Sequence, residues 1–533
     1  MPNAFANLVL YSWPIVVVLL FWKLDLPRAL VVSILGGYLF LPERAGIDLP
    51  LLPMLDKTLI PSLVAGVMCL VMSRKRAARP GMAGWSVPSG PAPGVPLRTD
   101  RGRLLFRLLF VLLFLTPVLT VLQNSTPIFV GPLVLPGLRP YDIGSILLGL
   151  GVTFLPFLLA QRFLARPEDQ VMLLRTFVLA ALGYSLLCLY EVRMSPQLNN
   201  MIYGFFPHSF QQHIRAGGFR PIVFLPHGLW VGIFLAMSIV AATTMALWSR
   251  RHGSGGLSAF GWFATVLWLL FVLIMSKAVG SMVLALVFVP LLILAGVQGQ
   301  LLCAMIVAGV TLFYPLLRGA GWIPVDTVYE VALSFSQERA ESLKFRFDNE
   351  DTLLERAAEK PVAGWGSWGR NQIYDPYTGR QTSVTDGAWI IVIGIFGWVG
   401  YIAHFGLLTA PLFLLGISRR KLGLSLESSG LAMVLAINLI DLIPNGTLTP
   451  LTYLVAGALA GRYAMAAAPV PDQATTTQPV QSGRAGWPQP AGLAVRTPRG
   501  RVAAGLASAS DPVGTPVRTA DSRKTRQPRQ RPE

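Results

Sequence analysis

The sequence predicts an all-α polytopic membrane protein of about thirteen transmembrane helices. Three observations predict it. Hydrophobic residues make up 53% of the 533-residue chain and charged residues only 13%, where soluble domains carry about 25% charged residues. Apolar runs of about 17–25 residues recur along the chain, each long enough to cross a hydrocarbon core as a helix. The runs lack the apolar–polar alternation of a transmembrane β-barrel.

The runs fall near 6–22, 28–43, 57–73, 104–122, 142–160, 171–190, 222–248, 257–275, 279–297, 300–318, 387–417, 424–444 and 447–465. The N-terminal stretch has no basic n-region and no small-residue cleavage site, so 7–22 is expected to stay as the first span. Run 387–417 exceeds one crossing and predicts a tilt or a break near Gly400. Cys69, Cys188 and Cys303 lie inside apolar runs, without CxxC or metal spacing, and read as small buried hydrophobes.

The net charge of +18 brings nucleic acid to mind, but topology explains it better. Basic residues gather in short loops: Arg74-Lys75-Arg76 at the head of 74–103, then Arg162 and Arg166, Arg250 and Arg251, and Arg419-Arg420-Lys421. Counting the spans puts all four loops on one side, and the positive-inside rule makes that side cytoplasmic. The N-terminus is then periplasmic and the C-terminus cytoplasmic. Loop 74–103 contains a Pro/Gly-rich linker from Pro88 to Pro96. From 462 onward there are eleven Arg/Lys against four Asp/Glu, which predicts a disordered basic tail able to meet anionic lipid head groups. Six segments follow: helices in 1–73, a linker at 74–103, a core at 104–318 with an outer loop at 191–221, a large outer loop at 319–386, helices in 387–465, and the tail 466–533.

The large loop holds eleven of the chain's 26 carboxylates, a concentration that the positive-inside rule does not explain. Val328, Val331, Ala332 and Phe335 recur at helical spacing, and Phe345, Leu353, Leu354 and Ala357 continue it more loosely. Two helices are expected, with a break near Phe347 to Asn349 and an end before Pro361. Gly364-Trp-Gly-Ser-Trp-Gly369 follows. Its glycines allow tight turns and close approach. Trp365 and Trp368 suit either a sugar ring or the membrane interface. Arg370, Asp375, Arg380 and Asp386 come next. Asp386 heads an apolar run, which makes it either a functional ionisable group or a charge favoured at a helix N-terminus.

The other outer loop carries Arg215 and Arg220 around Gly217-Gly218. Two planar guanidiniums suit a diphosphate; interfacial snorkelling is the plainer alternative. His208, His213 and His227 lack helical metal spacing. Walker A, HExxH, Cys/His and GxSxG patterns are absent from the sequence. Charged residues are scarce within the runs, which disfavours an ion-coupled transporter.

Together these residues resemble the O-antigen ligase and Wzy-type polymerase superfamily over roughly 100–465. Arg215-Ala-Gly-Gly-Phe-Arg220-Pro is similar to its Arg/Gly/Phe stretch before a span. Arg346, Ala357, Pro361 and Gly364-Trp-Gly366 resemble its Arg, short helix and Pro-x-x-Gly-x-Gly. Asp386-Gly387 with Gly397-Trp-Val-Gly400 resembles its paired element, except that Asp386 stands where a ligase has histidine. That departure favours a polymerase over a ligase. The resemblance implies a glycosyltransferase-C-like bundle with a large helical periplasmic loop in the bacterial inner membrane. It also implies an undecaprenyl-diphosphate-linked oligosaccharide as donor and metal-independent chemistry with no cofactor. Other polysaccharide-assembly proteins, such as a chain-length regulator, are the partners it suggests, and nucleic acid is not among them.

In the mechanism expected on that basis, Asp386 is the general base. Arg346, Arg215, Arg220 and Arg339 steady the departing diphosphate. Trp365, Trp368 and Arg370 face the glycan. A ligase acting on lipid A core or protein is the alternative, and a transporter of lipid-linked oligosaccharide the second.

Overall fold

The computed structural model describes residues 1–48, 53–77, 100–215, 217–253 and 257–466. Most of the linker and all but the start of the tail lie outside the described residues, as do the side chains of residues 74–77, 100, 101, 338 and 339. The chain is mostly helical, and each of the thirteen apolar runs forms a helix. In order these are α1 (Ala4–Lys23), α2 (Leu26–Phe40), α3 (Leu59–Ala77), α4 (Asp100–Gln123), α5 (Pro140–Phe163) and α6 (Pro167–Met194). After the short α7 (Leu198–Tyr203) come α8 (Gly228–His252), α9 (Ala259–Met275), α10 (Val279–Leu294) and α11 (Val297–Gly319). The large loop supplies α12 (Val325–Phe335) and α13 (Gln337–Ala358), and the chain closes with α14 (Ala388–Ser418), α15 (Leu426–Asp441) and α16 (Pro450–Ala466). Seven of them, α1, α4, α5, α6, α8, α11 and α14, are long and apolar enough to cross a membrane. Two small antiparallel pairs, β1 (Ile128–Val130) with β2 (Leu133–Leu135) and β3 (Ile214–Arg215) with β4 (Gly218–Phe219), sit in connections.

The surface argues for lipid. Phe260, Phe263, Leu267 and Phe271 of α9 and Leu286 and Leu294 of α10 all face outward, an apolar expanse that water would not tolerate on a monomer. The centre is α8, α15 and α16, whose side chains are almost wholly buried. Small residues let these helices approach closely: a Cβ on Gly430 would meet Thr244, and one on Gly457 the Phe157 backbone. Two hydroxyls of α8 bond within their own helix, Thr243 to the Ile239 carbonyl and Thr244 to that of Val240, and so are satisfied locally.

Hydrogen bonds define two ends. At one, Ser428 of α15 donates to Gln170 of α6 and accepts from Arg462 of α16, and Ser429 donates to Gln300 of α11. The basic stretches of the sequence flank this end. At the other, Lys360 donates to the Gln123 carbonyl at the end of α4, Arg318 of α11 pairs with Asp351 of α13 at 2.7 Å, and the Ala388 amide reaches the Leu442 carbonyl. The carboxylate-rich loop is anchored here.

The structure corrects the expected break within the loop. It lies at Ser336, whose extended backbone (φ −169°, ψ 124°) separates α12 from α13. Helix continues through Phe347 to Asn349. Asn349 does not cap a new helix: its amide donates to the Phe345 carbonyl and its oxygen accepts the Val384 amide, tying α13 to the approach to α14.

The long α14 does break, at Gly397 (φ 64°, ψ −168°), three residues before the expected position. The break leaves the Gly394 and Ile395 carbonyls and the Trp398 and Val399 amides without helical partners. The segment after α13 supplies them. Trp365 and Gly366 donate to Gly394 and Ile395 at 2.8 and 2.9 Å, and Trp398 and Val399 donate to Pro361 and Val362 at 2.7 and 3.2 Å. Two glycines make the fit possible: a Cβ on Gly397 would stand 2.5 Å from the Val362 carbonyl, and one on Gly364 2.5 Å from that of Ile395.

Candidate active site

Arg346, about three turns before the end of the loop helix that carries it, reaches the head of α14. Its Nε lies 3.4 Å from Asp386 Oδ2, and each side chain is about a third exposed (32% and 30%). Its Nη1 also donates to the Pro444 carbonyl at 3.2 Å and to Asn445 Oδ1 at 3.5 Å. Asn445 in turn donates to Asp441 Oδ1 at 2.9 Å, and Thr447 donates to Asp441 Oδ2 at 2.6 Å. Three parts of the chain therefore converge: α13, the entry to α14, and the turn between α15 and α16.

Burial raises the Asp386 carboxyl above its ordinary range, and the Arg346 charge partly opposes this. Behind the pair, Glu350 is 5% exposed. It lies 3.6 Å from Arg318 Nε, yet burial pushes its carboxyl up to about 7. Arg318 makes its shorter contact, 2.7 Å, with Asp351, so it compensates Glu350 incompletely. Asp386 and Glu350 are thus two raised carboxyls set against different guanidiniums, Arg346 and Arg318. The Arg346–Asp386 pair, a third exposed, contributes only about 0–1 kcal/mol to stability, so folding alone gives little reason to keep it. A cavity of about 660 Å³ opens beside this centre between α11, α13 and α14, walled by Leu316, Leu354, Ile393 and Trp398 with Arg318 and Asp351 at its edge.

Arg215 and Arg220 sit in a second cluster built on the β3–β4 hairpin. Arg220 Nη2 donates to the Lys277 carbonyl at 3.3 Å, and Lys277 Nζ donates to the Arg215 carbonyl at 2.8 Å. Lys277 holds a left-handed backbone (φ 55°), a local strain that such reciprocal contacts sustain. His213 and His227 stack nearby, ring centroids 4.7 Å apart. Burial and the neighbouring histidines and arginines push them down to about 4 and about 3. Both are neutral at pH 7, so the positive charge of the cluster belongs to Arg215, Arg220 and Lys277.

The expected glycan-facing residues divide. Trp368 is 57% exposed with φ 58°. Trp365 is buried: its Nε1 donates to the Arg356 carbonyl at 2.7 Å, the Arg356 guanidinium lies 3.3 Å over its ring, and Lys360 caps it at 4.4 Å. Arg370 is 2% exposed. It donates to the carbonyls of Pro136, Thr126 and Trp365 and approaches Asn124. Arg370 therefore clamps the loop to the β1–β2 hairpin and presents no free donor to a sugar. The Arg339 side chain lies outside the described residues, although its backbone belongs to α13.

Asp441, Asn445 and Glu350 were not singled out from the sequence. A signal existed: Asn438, Asp441 and Asn445 recur at three- and four-residue spacing at the end of an apolar run, where an ionisable group is costly. Among the described residues, no group of three or more His, Cys, Asp or Glu side chains is placed to hold a metal ion. No family model matches the chain, and no curated protein matches it in sequence.

Proposed function

We propose that this protein is a membrane glycosyltransferase of the O-antigen ligase and Wzy-type polymerase kind. It polymerises undecaprenyl-diphosphate-linked oligosaccharide units into a surface polysaccharide. In this reading all thirteen apolar helices cross the bacterial inner membrane, the carboxylate-rich loop is periplasmic, and the basic end is cytoplasmic. The observation that carries it is the Arg346–Asp386 pair, about a third exposed and backed by Asn445, Asp441 and Glu350 at the end of the bundle opposite the basic loops.

The chemistry follows from those groups. Asp386 accepts the proton of an acceptor hydroxyl as its oxygen attacks the anomeric carbon. The bond to the diphosphate oxygen breaks, and the lipid diphosphate leaves with the electron pair. A diphosphate leaves without a general acid, so cations suffice. Arg346 is one. Arg215, Arg220 and Lys277 supply others, with Arg339 a further candidate on the same helix as Arg346. The apolar cavity beside Leu316 and Trp398 suits part of a polyprenyl chain. Trp368 is an exposed indole of the loop that suits a sugar face.

The departure at Asp386 from a ligase histidine favours polymerisation. Purified protein given its host's lipid-linked oligosaccharide should build a ladder of repeat units without added acceptor. Transfer only on addition of lipid A core or protein would make it a ligase. The absence of any transfer, with movement of the lipid-linked glycan across vesicles, would make it a transporter.

A further inference from the structure

A cavity of about 600 Å³ lies at the basic end between α4, α5 and α16, far along the helices from the centre described above. Phe106, Phe110, Val111 and Leu158 make its walls. Arg103, Arg107, Gln161 and Tyr463 stand at its mouth. Arg103 and Arg107 are four residues apart on α4, so both guanidiniums lie on one face. Neither has an ion-pair partner among the described residues, and the Gln161 amide and Tyr463 hydroxyl have no hydrogen-bond partner there.

Arg103 and Arg107 are both exposed, so two guanidiniums beside apolar walls at a membrane surface are open to an anion. The adjoining sequence is itself basic: residues 74–101 carry six Arg/Lys against one carboxylate, and 467–533 carry ten against four. The bilayer does contain an anion joined to an apolar chain.

We infer that this cavity binds one anionic phospholipid, its phosphate held by Arg103 and Arg107 and an acyl chain lying along Phe106, Phe110 and Leu158. The planar guanidinium fork matches phosphate oxygens, and Gln161 and Tyr463 can hydrogen-bond the remaining head-group oxygens. A basic pocket between membrane helices is a recurrent setting for such lipids.

Native mass spectrometry of the full-length protein in detergent tests this, with phosphatidylglycerol, phosphatidylethanolamine or inorganic phosphate added. The wild type should retain one phosphatidylglycerol in preference to phosphatidylethanolamine. Replacing two contacting cations, in the double variant Arg103→Gln with Arg107→Gln, should weaken that retention about thirtyfold. Leu158→Trp keeps both guanidiniums but fills the groove, and should weaken it as well. The double variant Arg250→Gln with Arg251→Gln removes the same charge from the last turn of α8 and should leave retention intact. Equal retention of the two lipids, an unchanged Arg103/Arg107 variant, an equal loss in the Arg250/Arg251 variant, or full competition by inorganic phosphate would each overturn the assignment.

Discussion

Arg370 and Arg346 lie 24 positions apart in one loop and serve opposite ends. Arg370 is buried, and its donors are engaged by backbone carbonyls of α4's outgoing chain and of its own loop. Arg346 is a third exposed, paired at 3.4 Å with a carboxylate of similar exposure. The first arrangement suits architecture, because removing a buried charge's partners or the charge itself is costly. The second contributes little to stability and places charge where a substrate can meet it. The difference teaches that the number and kind of partners, not residue type, separates a clamp from a candidate catalytic group.

That contrast can be broken by substitution, beginning with the largest expected effect on the fold. Arg370→Ala should cost about 3–5 kcal/mol, since it leaves several buried carbonyls without a donor. The check is the melting temperature and the yield of monodisperse protein. A fully folded Arg370→Ala variant would remove the clamp. Gly397→Ala should cost about 2–4 kcal/mol, from the left-handed backbone and the docked segment it would displace; protease sensitivity at Pro361 to Gly366 would report the loss. Unchanged protection would mean that the break does not depend on that glycine.

Arg346→Gln should leave melting within about 1 kcal/mol of wild type while shifting the pH profile of transfer. Asp386 works as a base only when ionised, and its folded carboxyl is already raised by burial. Activity should therefore rise with pH through an inflection above the ordinary carboxylate range. Without the Arg346 charge that inflection should move still higher. An inflection that stays in place would separate the two residues. A last effect, confined to the pH dependence of stability, belongs to Glu350→Gln. Because the folded carboxyl titrates near 7 rather than 4.5, its contribution to stability is full at low pH and is lost as pH rises through about 7. The Gln variant should flatten that part of the stability–pH curve, measured by thermal melts from pH 4 to 8.

Much of the fold was legible because lipid selects long apolar helices, and every such run became one. The exact break in α14 was not. Gly394, Gly397 and Gly400 all permit one locally, and the docking of Pro361 to Gly366, brought from another part of the chain, selects Gly397. The break between α12 and α13 went unread for a related reason: Asn349 looks like a cap in sequence but is used as a tether between elements. At the site, Asp386 and Arg346 were legible as an ionisable group heading a span and as a loop arginine. Their proximity was not, since α13 must first be anchored by Arg318. Asp441 and Asn445 were hidden by the apolar run around them. Arg370 and Trp365 were misread because partners on α4, the hairpin and α13 bury them.

The most direct measurement compares wild type and Asp386→Asn, purified in detergent, on a lipid-linked oligosaccharide from the same host, with melting curves recorded in parallel. A catalytic Asp386 predicts a ladder of repeat units from the wild type. In the variant the ladder should fall by about 10²–10⁴-fold with melting nearly unchanged. A ladder of wild-type strength from a folded Asp386→Asn variant would contradict the central role given to that carboxylate.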